Sequence, residues 1–529
     1  MTTDNSPPRA AEAPRGPGGA FWRVLLWLGG IFLALILLVA ALCALENWRG
    51  PRAWADCKRE LEAQGEQLDR KAFVPPPVAD EQNFAATPLF AALRYREGQG
   101  GATEIDWPND YATAEKEVRK LRKSGARGGG DATPRFTDLT AWQRAFRIVH
   151  HGDANQPLPI TAPANASAEV RAALEVLEGL KAYDPWLAEL REASRRPHAR
   201  FPVEYDKDNP MDILLPHLAG LRRVSTVLQL RASAELAAGR PDAAWDDIGL
   251  LWCLVDSLKD EPILISHLVR NACFQMALVP VREGLARRQW TEAQVRGLQA
   301  RLEQFDFPAA AQRSLRAERA FSLAALEFIL RGPVPKPAQG GGMGDPFQEA
   351  QVYRRVAPTG WLCFEEANYC RALQATLLPD SAIKDHRIDP RVVEQKQAEL
   401  ERSLAAPAWK AIVQHRLFCG LLLPALGKIY SKSALAQTLA DEAVLACALE
   451  RFRQANGQFP EKLEALMPAF IPKLPPDVIT GEPLHYRQTP DGQFVLWSVG
   501  WNGQDDGGVP GQNANDMQHG DWVWEYPPK

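Results

Sequence analysis

VLLWLGGIFLALILLVAALCAL, residues Val24–Leu45, runs for 22 positions without a charged side chain. A helix rises about 1.5 Å per residue, so this segment covers about 33 Å and can cross the hydrocarbon core of a bilayer. The apolar part of a cleaved secretory signal usually has about 7–15 residues, so the length favours a retained anchor, with cleavage as the alternative. The predicted architecture is therefore mainly α-helical and membrane-anchored by one transmembrane helix.

Charge does not orient this segment, because arginines precede it and basic residues also follow it closely. The whole chain has 529 residues, 46% hydrophobic and 24% charged, and a net charge of −4. Such a composition is that of a globular protein and argues against a nucleic-acid partner. The eight cysteines include no C-x-x-C pair, so a structural zinc site is not predicted.

Five regions follow from composition and periodicity. A Pro/Gly/Ala-rich tail at 1–20 is predicted to be disordered, and 21–47 forms the anchor. Region 48–165 is rich in loops, with short helices such as Ala112–Leu121 and Leu139–Val149. Region 166–430 is predicted to be helical, and 431–529 to be a small α+β module.

Helical spacing is clearest after Ser167. Val170, Leu174, Leu177 and Leu180 recur at intervals of four, three and three, which predicts the apolar face of a helix. Further helices are predicted over Ile213–Ala238, after the capping box Thr291–Gln294, and over Thr359–Leu378 and Arg391–Leu404. The turn Gly239–Trp245 between two helices weakly resembles one tetratricopeptide hairpin, which implies a helical-hairpin array.

Carboxylates and histidines were considered as catalytic groups. Asp246, Asp247, Asp256, Asp260 and Glu261 are interpreted as the solvated face of a helix rather than as acid–base pairs. The doublet His150-His151 is interpreted as a polar helix end, and a metal or acid–base role is the alternative. Ser266-His267 has no acid partner nearby in sequence, and nucleophile-elbow, zinc-protease and P-loop motifs are absent from the sequence.

The C-terminal hundred residues begin with a predicted helix over Ser433–Asn456, ended by Gly457. Its apolar stripe consists of Leu435, Leu439, Ala443, Ala446, Leu449 and Phe452. Asp491-Gly492 between two β-prone runs, Leu484–Arg487 and Phe494–Val499, predicts a hairpin. The stripe can cover the apolar side of that hairpin, so a small antiparallel sheet packed on one long helix is expected.

These residues resemble the soluble module of the major pseudopilins of type II secretion. The features shared over about 75 residues are Asn456-Gly457-Gln458-Phe459-Pro460, Asp477 with Gly481, Pro483 and Tyr486, Asp491-Gly492, and the strand from Phe494 to Gly500. The resemblance implies an extracytoplasmic location for the module, hence a cytoplasmic N-terminus. Val24 stands where the family's processing site has glutamate, so polymerisation as a pilin is not implied.

The family binds calcium in its final loop, and the resemblance implies the same for Asn502, Asp505, Asp506 and Asp516. Oxygen donors on a glycine-rich loop suit calcium, which takes six to eight oxygen ligands. The same composition also favours Asx turns, in which these side chains accept hydrogen bonds from the nearby backbone.

The sequence predicts a single-pass bacterial inner-membrane protein with a periplasmic helical scaffold that presents an interaction surface to protein partners. Membrane lipid around the anchor is the other expected partner. Two alternatives stay open: a membrane-tethered periplasmic hydrolase, and an accessory subunit related to type II secretion.

Overall fold

A computed structural model describes residues 18–93, 95, 108–125, 136–332, 353–355, 357–378, 383–384, 386–405, 408–423, 426–512 and 516–526. The predicted disordered tail therefore lies, up to residue 17, outside the described residues, and no structure is given for it. The described chain is mainly helical, as predicted, with one small three-stranded sheet near the C-terminus.

The first helix, α1, spans Gly18–Ala63 and includes the whole charge-free segment. Its most apolar window is not buried against any part of the protein, which is expected of a membrane span or a signal sequence. The helix extends well beyond the predicted end at 47 and contains Pro51. Among the described helices, Leu264–Ala286 is also long and apolar, but 61% of its window is buried, as in a core helix.

The helices that follow form the body. Their bounds are α2 Pro88–Ala91, α3 Asp110–Gly125, α4 Leu139–His151, α5 Ala168–Gly179, α6 Asp184–Ala193, α7 Pro216–Ala237, α8 Pro241–Ser257, α9 Leu264–Ala286, α10 Glu292–Leu302, α11 Phe307–Arg331, α12 Thr359–Leu377, α13 Pro390–Leu404, α14 Ala408–Val413, α15 Leu417–Leu422 and α16 Ile429–Asn456. Side chains cap many of their N-termini, among them Ser167 before α5 and Asp306 before α11. The predicted capping box at Thr291 and Gln294 is confirmed.

The predicted hairpin at Gly239 is confirmed. Helix α7 ends at Ala237, Gly239 adopts a positive φ of 74°, and α8 begins at Pro241. A residue without Cβ is favoured at such a φ, and proline is favoured at the first helical position. Helices α7, α8 and α9 then pack against one another.

The predicted core face of α5 is correct only in part. Leu180 is buried as predicted, but Val170, Leu174 and Leu177 are only half-buried, whereas Ala172, Ala173 and Val176 are fully buried. The reason is close packing: a Cβ added at Gly179 would lie 2.5 Å from the Phe146 ring of α4. A helix that approaches its neighbour this closely buries small side chains, which a count of large apolar residues does not detect.

The C-terminal sheet consists of β3 His485–Gln488, β4 Phe494–Ser498 and β5 Trp522–Tyr526, antiparallel in the order β3-β4-β5. The predicted hairpin is confirmed, with Gly492 at φ 74° in its turn. The third strand was not predicted. A separate two-residue ribbon, β1 Ile383–Lys384 with β2 Arg387–Ile388, lies earlier in the chain.

Helix α16 confirms the predicted long helix and ends, as expected, where Gly457 has a left-handed conformation. The single apolar stripe is wrong, because α16 is buried on nearly every side between Ser433 and Glu450. Helices α9, α10 and α11 cover it on one side and strands β4 and β5 contact it as well. A helix enclosed in this way lacks a solvated face.

One hydrophobic cluster extends from Phe84 to Tyr526. It includes residues on both sides of the predicted boundaries at 165/166 and 430/431. The domain division stays a prediction, while the core of the described residues is continuous across it.

Candidate functional site: a cleft where the apolar helix joins the body

Helix α1 continues from its apolar part into the body without a break. Its later turns bury Cys57 and Leu61 in a cluster shared with α12. Between these two parts, the Arg52 guanidinium lies 3.6 Å from the centre of the exposed Trp48 ring. One continuous helix therefore joins the apolar segment to the body.

Two glycines fix the crossing of α1 and α12. A Cβ added at Gly50 would lie 2.1 Å from the Gly360 carbonyl oxygen, and one added at Gly360 would lie 1.9 Å from the Glu46 carbonyl oxygen. At the same point Asn47 Oδ1 accepts hydrogen bonds from Gly360 N at 2.8 Å and Thr359 Oγ1 at 3.0 Å. The Asn47 side chain of α1 therefore caps the N-terminus of α12.

A buried ionic cluster holds the segment just after α1. Glu66 Oε2 accepts from Nη2 of the fully buried Arg319 at 2.6 Å, and Arg316 Nε lies 3.1 Å from both Glu66 oxygens. Gln374 Oε1 of α12 accepts from Arg319 Nη1 at 2.6 Å. Burial acts to raise the pKa of Glu66, but the two arginines outweigh it and hold that pKa below its ordinary value.

A cleft of about 700 Å³ opens between these elements. Its lining comes from α1, α11, α12 and the loops beside them and consists of Trp54, Lys58, Glu62, Leu68, Asp69, Arg70, Asp208, Ala320, Leu323, Ala324, Glu327, Phe328, Arg331, Gly332 and Glu366. At the helical rise, Trp54 and Glu62 lie about 13 Å and about 25 Å beyond Leu45. The cleft therefore faces the region just outside the end of the apolar segment.

The charges of the cleft are predominantly acidic. Arg331 pairs with Glu366, with Nη2 to Oε2 at 3.1 Å, and Arg70 Nη1 donates to the Lys207 carbonyl at 2.7 Å. The remaining charges of the lining are the exposed carboxylates of Glu62, Asp69, Asp208 and Glu327 and the half-buried ammonium of Lys58, so five carboxylates face three cations. This surface can bind a cationic segment of a partner.

The histidines considered from sequence have structural roles. His150 and His151 are exposed at the end of α4, where Gly152 is the left-handed cap, so the helix-end interpretation is confirmed. His267 is buried; its Nε2 lies 3.0 Å from Ser433 Oγ and 3.3 Å from Asn271 Nδ2. Burial lowers the pKa of His267 to about 3, which leaves it neutral at physiological pH.

Ser266 does have an acid partner, which the sequence did not reveal. Its hydroxyl donates to Glu261 Oε1, and the same carboxylate lies 2.9 Å from His217 Nε2. A catalytic triad requires histidine between the serine and the acid, whereas here the acid lies between the other two. Within the described residues no serine, histidine and carboxylate follow the order that a triad needs.

Two of the carboxylates interpreted as solvated are buried. Asp247 is fully buried and paired with Arg191 and Arg231, and Glu261 is held as described above. Burial raises the pKa of Asp247 to about 6 despite these arginines. Asp246 and Asp260 are exposed, as predicted, and Asp256 is half-buried beside Arg301. Helical spacing could not reveal partners contributed by α6 and α7.

The predicted calcium ligands form turns. Asn502 Oδ1 accepts from Gln504 N at 3.0 Å, and Asp505 Oδ1 accepts from Gly507 N and Trp497 Nε1 at 2.9 Å each. Asp506 Oδ2 accepts from Asn502 Nδ2 at 3.1 Å.

Asp516 bonds instead to Gln512 N, Gln518 N and His519. In the described part of the chain, no three His, Cys, Asp or Glu side chains gather as a metal site. The observed bonds are those of Asx turns, and calcium stays a prediction.

The organising residue of this loop is Asp521. It is almost fully buried, and its two oxygens accept from Asp506 N at 3.1 Å and Gly508 N at 2.7 Å. Burial raises the pKa of Asp521 above its ordinary value.

Comparison with known proteins identifies no relative. No family model, curated protein or solved structure matches this chain. The functional argument therefore depends on the geometry described above.

Proposed function

We propose that this protein is a single-pass bacterial inner-membrane scaffold whose helical body lies outside the cytoplasm and binds a protein partner at the membrane-proximal cleft. The observation that carries the proposal is the continuity of α1: one helix includes the exposed apolar segment and forms a wall of the cleft. A partner bound there would be held at a fixed distance from the bilayer. The acidic lining favours a basic segment of that partner.

Photocrosslinking in cells tests the cleft. A photoreactive amino acid replaces Glu62 or Glu327, which are exposed in the cleft, or Asp246, which is exposed on α8 outside it. Positions 62 and 327 should give the same protein adduct, weakened by added salt because the lining is charged. Equal adducts from position 246, or none from the cleft, would contradict the proposal.

The rigid junction is tested with two alanine substitutions. Gly360→Ala places a Cβ against the Glu46 carbonyl and should lift α1 from α12, which should reduce the adduct at position 62. Gly249→Ala is the matched control, because its Cβ would meet nothing within 4 Å. If both variants give the parental adduct yield, the junction does not position the cleft.

Topology has its own test. A reporter that is active only outside the cytoplasm should work when fused after Lys529 and fail when fused before Met1. The pseudopilin-like C-terminus supports this orientation, and the length of the apolar segment supports a retained anchor. A C-terminal fusion that works solely with a cytoplasm-dependent reporter would reverse it.

A further inference from the structure

A second cavity, of about 330 Å³, lies between α9, α16 and the start of β5. Gln275, Leu278, Val279 and Arg282 line it at spacings of three, one and three, which places them on one face of α9. Leu435 and Leu439 of α16 form another wall. The remaining lining residues are Pro510, Gly511, Asp516, Met517, Asp521, Trp522 and Val523.

Arg282 is the only cationic residue in that lining, and it is 8% exposed. Its guanidinium lies 4.1 Å from the centre of the Trp524 ring, but it makes no hydrogen bond or ion pair with any described residue, and its Nε is buried without a partner. Arginine side chains so deeply buried normally have acceptors around them. This guanidinium therefore has unused donors beside an open cavity.

The carboxylates near Arg282 are committed elsewhere. Asp521 accepts from two backbone amides and Asp516 from Gln512 N, Gln518 N and His519. Glu283 accepts from Thr137 through N and Oγ1 at 2.7 Å each. None of the three forms an ion pair with Arg282.

Glu442 is the remaining acidic neighbour, and it lies beyond ion-pair distance of Arg282. It is fully buried, both of its oxygens lack a hydrogen-bond partner, and no ion pair joins it to Arg282. Burial raises the pKa of Glu442 well above its ordinary value, and the charge of Arg282 acts in the opposite direction. Burial lowers the pKa of Arg282 to about 10, so the guanidinium stays charged at physiological pH.

We propose that this cavity binds a small carboxylate with an apolar body, whose carboxylate pairs with Arg282 while its apolar part contacts Leu278, Leu435 and Leu439. A planar guanidinium suits a carboxylate because two N–H groups can donate side by side. Arg282 is the one cation of the lining, and the two carboxylates of the lining, Asp516 and Asp521, are hydrogen-bonded within their own loop, so the guanidinium is the group that can pair with an anionic ligand. The site is independent of the acidic cleft, and its ligand has the opposite charge.

Calorimetric titration of the full chain in lipid nanodiscs tests the site, with empty nanodiscs as the blank. The probe is 4-phenylbutyrate, and 4-phenyl-1-butanol and 4-phenylbutylamine are its neutral and cationic counterparts. The acid should bind saturably at one site, and both counterparts should bind at least about tenfold more weakly because they lack the ionic hydrogen bonds. Equal binding of acid and alcohol, or no saturable binding of the acid, would overturn the proposal.

Substitutions locate the binding. Arg282→Met replaces the cation by an uncharged, unbranched side chain and should reduce acid binding to the level of the alcohol. Leu439→Trp should fill the cavity and weaken the binding of both ligands. Glu327→Gln in the acidic cleft is the matched control and should change neither. Acid binding that survives Arg282→Met would overturn the assignment; if that variant does not fold, the comparison of acid, alcohol and amine on the parent chain decides.

Discussion

The two ends of this chain are joined to the helical body by different kinds of contact. Helix α1 is held by a glycine crossing, an asparagine cap and the buried Glu66–Arg319 pair. The C-terminal sheet is joined to the segment after α16 by aromatic contacts: the Phe459 ring meets Phe494 of β4 at 4.9 Å and Tyr526 of β5 at 5.5 Å edge to face, centre to centre. Aromatic packing depends on apolar area, whereas the junction of α1 depends on the identity of a few residues. Substitutions should therefore affect the two ends differently.

The largest expected effect is in the aromatic cluster. Phe459→Ala should lower the free energy of unfolding by about 4 kcal/mol, because it removes a buried ring and leaves a cavity. Denaturant unfolding of the full chain measures it. Val509→Ala is the control, since Val509 is 59% exposed. Equal losses in the two variants would show that the aromatic contacts do not hold the sheet.

The ionic junction should give the next largest effect. Glu66→Leu should cost about 3 kcal/mol because it leaves Arg319 charged and buried with Gln374 as its remaining side-chain acceptor. Glu66→Leu combined with Arg319→Leu should recover much of that loss, since no unpaired charge remains. A double variant whose loss equals the sum of the two single losses would show that the residues are not coupled.

The same contrast explains what could be read from the sequence. The hairpin at Asp491-Gly492 and the helix ending at Gly457 were predictable because turn residues and apolar runs are local signals. The Glu66–Arg319 pair joins residues 253 positions apart, and the sequence around each residue does not indicate its partner. The buried face of α5 was missed because it consists of small residues, whose burial depends on how closely α4 approaches.

The candidate sites were less predictable than the fold. Asp247 and Glu261 looked solvated on their own helical spacing, but arginines or a histidine from other helices cover them. Arg282 carries no local signal at all, because its importance depends on which acceptors are missing around it in space. The sequence shows only that Arg282 lies seven positions after Gln275, on the same face of α9 as Leu278 and Val279.

Protonation of Glu365 gives a pH-dependent test of α12, the helix that crosses α1. This buried residue of α12 accepts from Leu417 N at 3.1 Å and Phe418 N at 3.2 Å, and burial raises its pKa to about 7. The unfolded chain loses this proton at lower pH than the folded chain, so the group's contribution to stability falls as pH rises from about 4.5 to about 7, by at most about 1.4 kcal/mol per pH unit.

Denaturant unfolding across that pH range measures the slope. Glu365→Gln should reduce the slope to the part contributed by other buried carboxylates such as Asp247, and Glu62→Gln, at an exposed position of α1, should leave it as in the parent chain. A slope that Glu365→Gln does not change would place the titrating group elsewhere.

The smallest expected effect concerns the loop beside the sheet. If Asn502, Asp505, Asp506 and Asp516 bind calcium, the folded chain gains RT ln(1 + [L]/Kd), about 1 kcal/mol when calcium is fivefold above its dissociation constant. Binding would require these side chains to exchange their Asx-turn hydrogen bonds for the ion, which limits the gain. Thermal melting of the full chain should therefore shift slightly upward in calcium relative to chelator, and magnesium should substitute poorly because it requires near-octahedral geometry. Asp506→Ala should reduce the shift and Asp246→Ala should not. Superimposed curves in calcium and chelator would leave turn formation, organised by the buried Asp521, as the whole role of this acidic loop.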